Sequence, residues 1–124
     1  MSANEKKCIL IVDDEADLRN LLNSVLSGAG YDTAEAADGK EAIAIVQKRV
    51  LDLALLDIRM PKMDGIEVLT FLHKNSPSTK AIMLTGYADL KYAMEAKEYG
   101  AKDFISKPYK TDDVLSTVRR ILGE

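Results

Sequence analysis

Apolar positions along the chain fall into two kinds of pattern that alternate. Short unbroken runs occur at Cys8–Val12, Leu53–Leu56 and Ala81–Leu84. Unbroken apolarity of this length predicts strands covered on both faces, as in a parallel sheet between helix layers. Asp32–Ala36 and Asp103–Ser106 read as two weaker strands at the sheet edges. Helical spacing fills the intervals. Leu18, Leu21, Leu22, Val25 and Leu26 follow one buried stripe, with Gly28 and Gly30 as the stop. Asp38 with Glu41, and Asp64 with Glu67, read as capping boxes that open the next two helices. Ala42, Ile43 and Val46 point inward in one, and Val68, Leu69 and Leu72 in the other. A fourth helix from about Asp89 to Gly100 has a thin stripe of Leu90, Ala93 and Met94, and the last buries Val114, Leu115, Val118 and Leu122.

Five βα units with short connections result. Right-handed crossovers then predict an α/β, doubly wound, five-stranded parallel sheet with helices on both faces. The most apolar strands belong at its centre, which suits the flavodoxin-like order 2-1-3-4-5. At 124 residues, the chain reads as a single domain over 1–124 with a core from about 7 to 122.

Composition removes several classes of function. The hydrophobic share of 47% and charged share of 30% are those of an ordinary globular protein. One cysteine, Cys8, forms no internal disulfide, and with no secretory or membrane-spanning run a cytoplasmic location is expected. Cys8 reads as a small buried hydrophobe with no charged neighbour evident, and His73 as a surface residue near a helix end. A net charge of −3 with scattered basic pairs predicts no direct nucleic-acid binding.

Chemistry is expected where parallel strands end, because ligands bind beyond their carboxyl edge. Strand one runs into Asp13, Asp14 and Glu15, strand three into Asp57, strand four into Thr85 and Gly86, and strand five into Ser106, Lys107 and Pro108. Packed carboxylates repel, and a divalent ion relieves them. Mg²⁺ fits an all-oxygen donor set, and no Cys/His cluster offers a zinc alternative. A lysine beside such an ion suits a phosphoryl group. Asp57, alone on the central strand, is the candidate phosphoacceptor, and the adjacent Asp13 and Asp14 are candidate metal ligands.

The stretches Ile-Val-Asp-Asp-Glu at 11–15, Leu-Leu-Asp-Ile-Arg-Met-Pro at 55–61, Met-Asp-Gly at 63–65, Leu-Thr-Gly at 84–86 and Phe-Ile-Ser-Lys-Pro at 104–108 resemble the receiver domains of bacterial response regulators. The resemblance runs from about Lys7 to Leu122. It implies phosphorylation of Asp57 by a sensor histidine kinase or histidine phosphotransfer protein. It implies Mg²⁺ on Asp14, Asp57 and the Arg59 backbone carbonyl, with Asp13 acting through a metal-bound water. Lys107 and Thr85 would contact the phosphoryl group, Thr85 and Phe104 would relay the switch, and the Lys107–Pro108 bond would be cis. Arg59 and Tyr87 would flank the phosphoryl group, and neither offers a carboxylate or amide to orient hydrolytic water, so a lifetime longer than in fast chemotaxis-type regulators is expected. Tyr92, Tyr99 and Tyr109 mark either amphipathic packing or a contact face on the fourth helix, fifth strand and fifth helix, for an output protein or a homodimer.

Three rival readings remain. A receiver cut from a longer transcription factor is disfavoured by the starting Met1 and the Gly123-Glu124 end, which favour a stand-alone regulator. A Mg²⁺-dependent phosphohydrolase needs a second carboxylate two residues past the nucleophile, where Arg59 stands. A flavin or nucleotide binder needs a phosphate-cradling loop after strand one, where Asp13, Asp14 and Glu15 repel phosphate. The expected protein is therefore a phosphoacceptor switch that promotes only its own phosphorylation and dephosphorylation.

Overall fold

The computed structural model describes residues 6–58, 65–86 and 95–124. Arg59, Tyr87, Tyr92, the Asp64 cap and the Leu90, Ala93, Met94 stripe lie outside the described residues. Five strands, β1 (Cys8–Val12), β2 (Asp32–Ala36), β3 (Leu53–Asp57), β4 (Lys80–Thr85) and β5 (Asp103–Ser106), form one sheet in the order β2-β1-β3-β4-β5. Every pairing is parallel. The expected order holds because the unbroken apolar runs, β1, β3 and β4, occupy the centre, where both faces are covered.

Alternation along the strands divides the core into two layers. Leu10, Val12, Ala54, Leu56 and Met83 face α2 (Gly39–Lys48) and α3 (Gly65–Asn75). Ile9, Ile11, Leu53, Leu55, Ile82 and Leu84 face α1 (Ala16–Gly28) and the C-terminal helix (Thr111–Ile121). Residues 95–98 are helical as well.

Local signals act largely as expected. The Asp38 carboxylate accepts from the Glu41 N–H at 2.8 Å, and Glu41 reaches back to the Ala37 N–H at 3.1 Å. Gly28 is the last helical residue of α1, and the stop itself is Gly30, whose φ of 101° only glycine adopts without strain. The α1 stripe is narrower than its spacing implies. Leu22 and Leu26 are buried, whereas Leu21 is 45% exposed at the rim, because the sheet and C-terminal helix cover only one side of the stripe. Cys8 is buried, but it does have a charged neighbour: Arg49 donates to its Sγ at 3.1 Å. Burial nevertheless outweighs the guanidinium and pushes the thiol pKa up, which suits a small buried hydrophobe. His73 is exposed in the last turn of α3. No helix among the described residues is long and apolar enough to cross a membrane.

Candidate functional site

Four strands deliver side chains to the carboxyl edge of the sheet. Asp13 follows the buried end of β1 and is itself 0% exposed. Its N–H bonds to the Ala36 carbonyl at 3.1 Å, and its Oδ1 accepts from the Glu15 N–H at 2.9 Å. Asp57 is the last residue of β3 and only 4% exposed. Both are ionisable groups at depths where a carboxylate is seldom found without a partner. Asp14 is exposed beside them. One carboxylate oxygen from each of Asp13, Asp14 and Asp57 lies within 4.8 Å of the others.

The ammonium of Lys107 enters from the end of β5. Its Nζ is 3.1 Å from Asp57 Oδ2 and 3.5 Å from Asp13 Oδ2. The Lys107 N–H also bonds to the Thr85 carbonyl at 2.7 Å, which ties the end of β5 to the end of β4. Burial disfavours the Lys107 charge, but Asp57 and then Asp13 together outweigh it, so the pKa is raised. Two of the three clustered carboxylates, Asp13 and Asp57, thus meet the Lys107 ammonium. At about 4.8 Å and an effective dielectric of about 20, each like-charged pair costs on the order of 3 kcal/mol. A divalent cation would relieve such repulsion.

The donor set fits such an ion. It is all oxygen, and neither histidine nor cysteine belongs to the cluster among the described residues. Hard oxygen donors, one of them open to solvent, suit Mg²⁺ with part of its water shell retained. Tyr109 supplies a second sign of a missing polar neighbour. Its hydroxyl is buried with no hydrogen-bond partner among the described residues. Burial first, and then the charge of Asp13, raise its pKa.

The remaining candidates take distinct places. Thr85 is buried at the end of β4, level with Ser106. Phe104 is half-buried, beside Met83 and against the α2–α3 layer. The Lys107–Pro108 bond is cis. Tyr99 is partly exposed, while Tyr109 packs on the opposite layer, which accounts for its ring without a partner protein. The structure also gives one motif residue its reason and brings in one group that motif reading passes over. Gly65 opens α3 so close to Asp57 that a Cβ there would lie 2.3 Å from the Asp57 main-chain oxygen. Arg19 reaches back from α1 to the Asp13 carbonyl at 2.7 Å. The motif names Gly65 without its contact and nothing in the spacing hints at Arg19, since both contacts depend on how helices settle on the sheet.

A family model for the response regulator receiver domain matches residues 9–119. Sporulation initiation phosphotransferase F of Bacillus subtilis is 42% identical, over 96% of this chain and 94% of that protein. A probable transcriptional regulator, ycf27, of Porphyridium aerugineum is 40% identical over 95% of this chain, which spans only 49% of that relative's length. Among solved structures, a response regulator receiver domain protein (CheY-like) from Methanospirillum hungatei has a TM-score of 0.92 at 36% identity, covering 96% of this chain and 95% of that one. With a matching sheet order and an acidic edge at the strand ends, the chain belongs to the response regulator receiver domains of two-component signalling.

Proposed function

We propose that this chain is a phosphorylation-activated switch whose phosphoacceptor is Asp57. The observation that carries the reading is the three-carboxylate cluster with the Lys107 ammonium 3.1 Å from Asp57 Oδ2. An Asp57 carboxylate oxygen attacks the phosphorus of a partner's phosphohistidine. The new O–P bond forms as the N–P bond breaks, and the electron pair leaves on the imidazole nitrogen. Lys107 holds charge on the equatorial phosphoryl oxygens. Asp13, Asp14, Asp57 and the Arg59 carbonyl would hold Mg²⁺, Asp13 through a metal-bound water. When bound, the ion neutralises phosphoryl charge that one lysine cannot.

The output is a population shift. A phosphoryl group adds about two negative charges. Thr85 moves to hydrogen-bond it, and Phe104 turns inward into the space that opens. Moving a switch from 1:99 to 99:1 takes about 5.5 kcal/mol of differential interaction. Charge-assisted bonds from Lys107 and Thr85, with Phe104 packing, are of that order.

The proposed donor is a sensor histidine kinase or a histidine phosphotransfer protein, in the cytoplasm. The name of the Bacillus subtilis relative, a phosphotransferase of nearly the same length, supports passing the phosphoryl group on. Control of an output protein or a homodimer through the fourth helix, β5 and C-terminal helix is the companion role, with no direct contact to nucleic acid or membrane. The unit is one receiver domain over 1–124, core about 7–122. Arg59 and Tyr87 tune the lifetime, and decay of the phosphorylated protein in seconds would contradict a slow switch.

Incubation with a small-molecule phosphodonor, followed by intact mass, tests the core of this reading. One added phosphate is expected with Mg²⁺, and none in EDTA or in Asp57→Ala. Release of many phosphates per protein would favour a hydrolase.

A further inference from the structure

Arg19 sits in the second turn of α1 and its guanidinium works in two directions. One nitrogen donates to the Asp13 carbonyl at 2.7 Å. Its Nε faces Glu35 Oε1 on β2 at 3.6 Å. Glu35 is itself held, since its Oε2 accepts from Asn23 Nδ2 at 2.6 Å. Asn23 Oδ1 accepts from the Thr33 hydroxyl at 2.7 Å and the Ser27 hydroxyl at 2.8 Å. A polar chain between α1 and β2 therefore terminates on the peptide bond that joins the two carboxylates at the end of β1.

That peptide bond matters because the two aspartates are held so differently. Asp13 is buried and fixed through its N–H, its carbonyl and its carboxylate. The Asp14 side chain is exposed, and the position from which it starts is set by the main chain alone. A planar peptide turns as one body. Letting go of the Asp13 carbonyl swings the Asp14 Cα, and with it the carboxylate that must meet those of Asp13 and Asp57.

We infer that Arg19 is a positioning residue for the divalent-ion site: it grips the Asp13 carbonyl, and Glu35 and Asn23 hold the grip in place. The inference rests on reading the acidic edge as a Mg²⁺ site. Through-space charge predicts the opposite sign. A cation beside carboxylates repels Mg²⁺, so a neutral replacement would tighten binding if charge were the whole effect. Positioning predicts weaker binding. A lysine keeps the charge but presents a single ammonium in place of a planar fork.

Calorimetric Mg²⁺ titration of the wild type, Arg19→Met, Arg19→Lys and the pair Arg19→Met with Glu35→Gln tests this. About tenfold weaker binding is expected for Arg19→Met, as is usual when a group orienting a ligand is lost. Arg19→Lys should fall between. The double variant, which restores the charge balance, should match Arg19→Met. With a phosphodonor, the Mg²⁺ concentration for half-maximal rate should rise while the rate at saturation stays within about twofold. Should Arg19→Met not fold, Arg19→Lys is read in its place. Affinity equal to or above that of a Mg²⁺-binding wild type overturns the role of Arg19 alone. A wild type that binds no Mg²⁺ overturns the site reading and this inference together.

Discussion

The two ends of the sheet carry similar charges and handle them in opposite ways. At the amino edge several charges meet fixed partners. Lys7 Nζ donates to the Leu122 carbonyl at 2.9 Å and Lys80 Nζ to the Ile121 carbonyl at 3.0 Å, so two ammonium groups close the C-terminal helix. Asp52 accepts from the Cys8 N–H at 2.8 Å. At the carboxyl edge Asp13, Asp14 and Asp57 crowd together beside Lys107, and the Tyr109 hydroxyl has no hydrogen-bond partner among the described residues. The first arrangement lowers the energy of the fold by itself. The second is the kind of crowding that a bound cation would relieve, which sets a candidate binding edge apart from a structural one.

The contrast breaks most visibly at two glycines. A Cβ on Gly65 would lie 2.3 Å from the Asp57 oxygen and 3.0 Å from the Ile58 Cα, both backbone atoms that cannot step aside. Gly65→Ala should cost about 3 kcal/mol or more in urea unfolding and weaken Mg²⁺ binding by displacing Asp57. Gly28, at the amino-edge end of α1, has open space around its Cβ position. Gly28→Ala should be neutral or stabilising by up to about 1 kcal/mol.

Charge removal should then carry opposite signs at the two edges. Asp57→Asn keeps the shape and relieves repulsion, so in EDTA it should stabilise the fold by about 1–2 kcal/mol. In saturating Mg²⁺ the ordering should reverse, since only the wild type gains fully from the ion. Tyr109→Phe deletes a buried hydroxyl with no partner among the described residues and should stabilise by about 1 kcal/mol in EDTA. Lys80→Met, by contrast, uncovers the Ile121 carbonyl and should destabilise by about 1 kcal/mol without changing Mg²⁺ affinity. If Asp57→Asn and Lys80→Met shifted EDTA melts in the same direction, the distinction between the edges would be lost.

How much of this was legible depends on whether the cause lies along the chain or across it. The strands of the centre are written as apolar runs, and the residues at their ends, Asp13, Asp57 and Thr85, necessarily meet at one edge, where Lys107 joins them from the end of β5. The sheet order follows from which runs are most apolar. Leu21 shows the limit, since helical spacing gives the direction of a stripe but not how far a neighbour covers it. Arg19 lies beyond it, as does the contact that explains Gly65, a residue the motif already marks. Their meaning is a distance to the main chain of Asp57 or Asp13, set by helix placement. The Tyr109 hydroxyl was hidden for the same reason, because a tyrosine in a C-terminal segment reads equally well as packing or contact face.

The smallest effect belongs to Tyr31, at the amino edge where β2 begins. Its ring is buried and its hydroxyl donates to Glu124 Oε1 at 2.5 Å. Burial, reinforced by the Glu124 hydrogen bond and charge, pushes its pKa up to about 12. An unfolded tyrosine ionises near 10, so the folded state favours the neutral phenol. The stability this contributes is fully present below pH 10 and is lost as pH rises through about 12. At neutral pH, Tyr31→Phe should cost only about 0.5 kcal/mol, because Glu124 is exposed and its bond is weakened by solvent. Phenolate absorbance of wild type minus Tyr31→Phe should show this one group ionising near pH 12. Ionisation near 10 would mean that the amino edge holds Tyr31 no better than water does, and that its closed partnerships stop at the lysines.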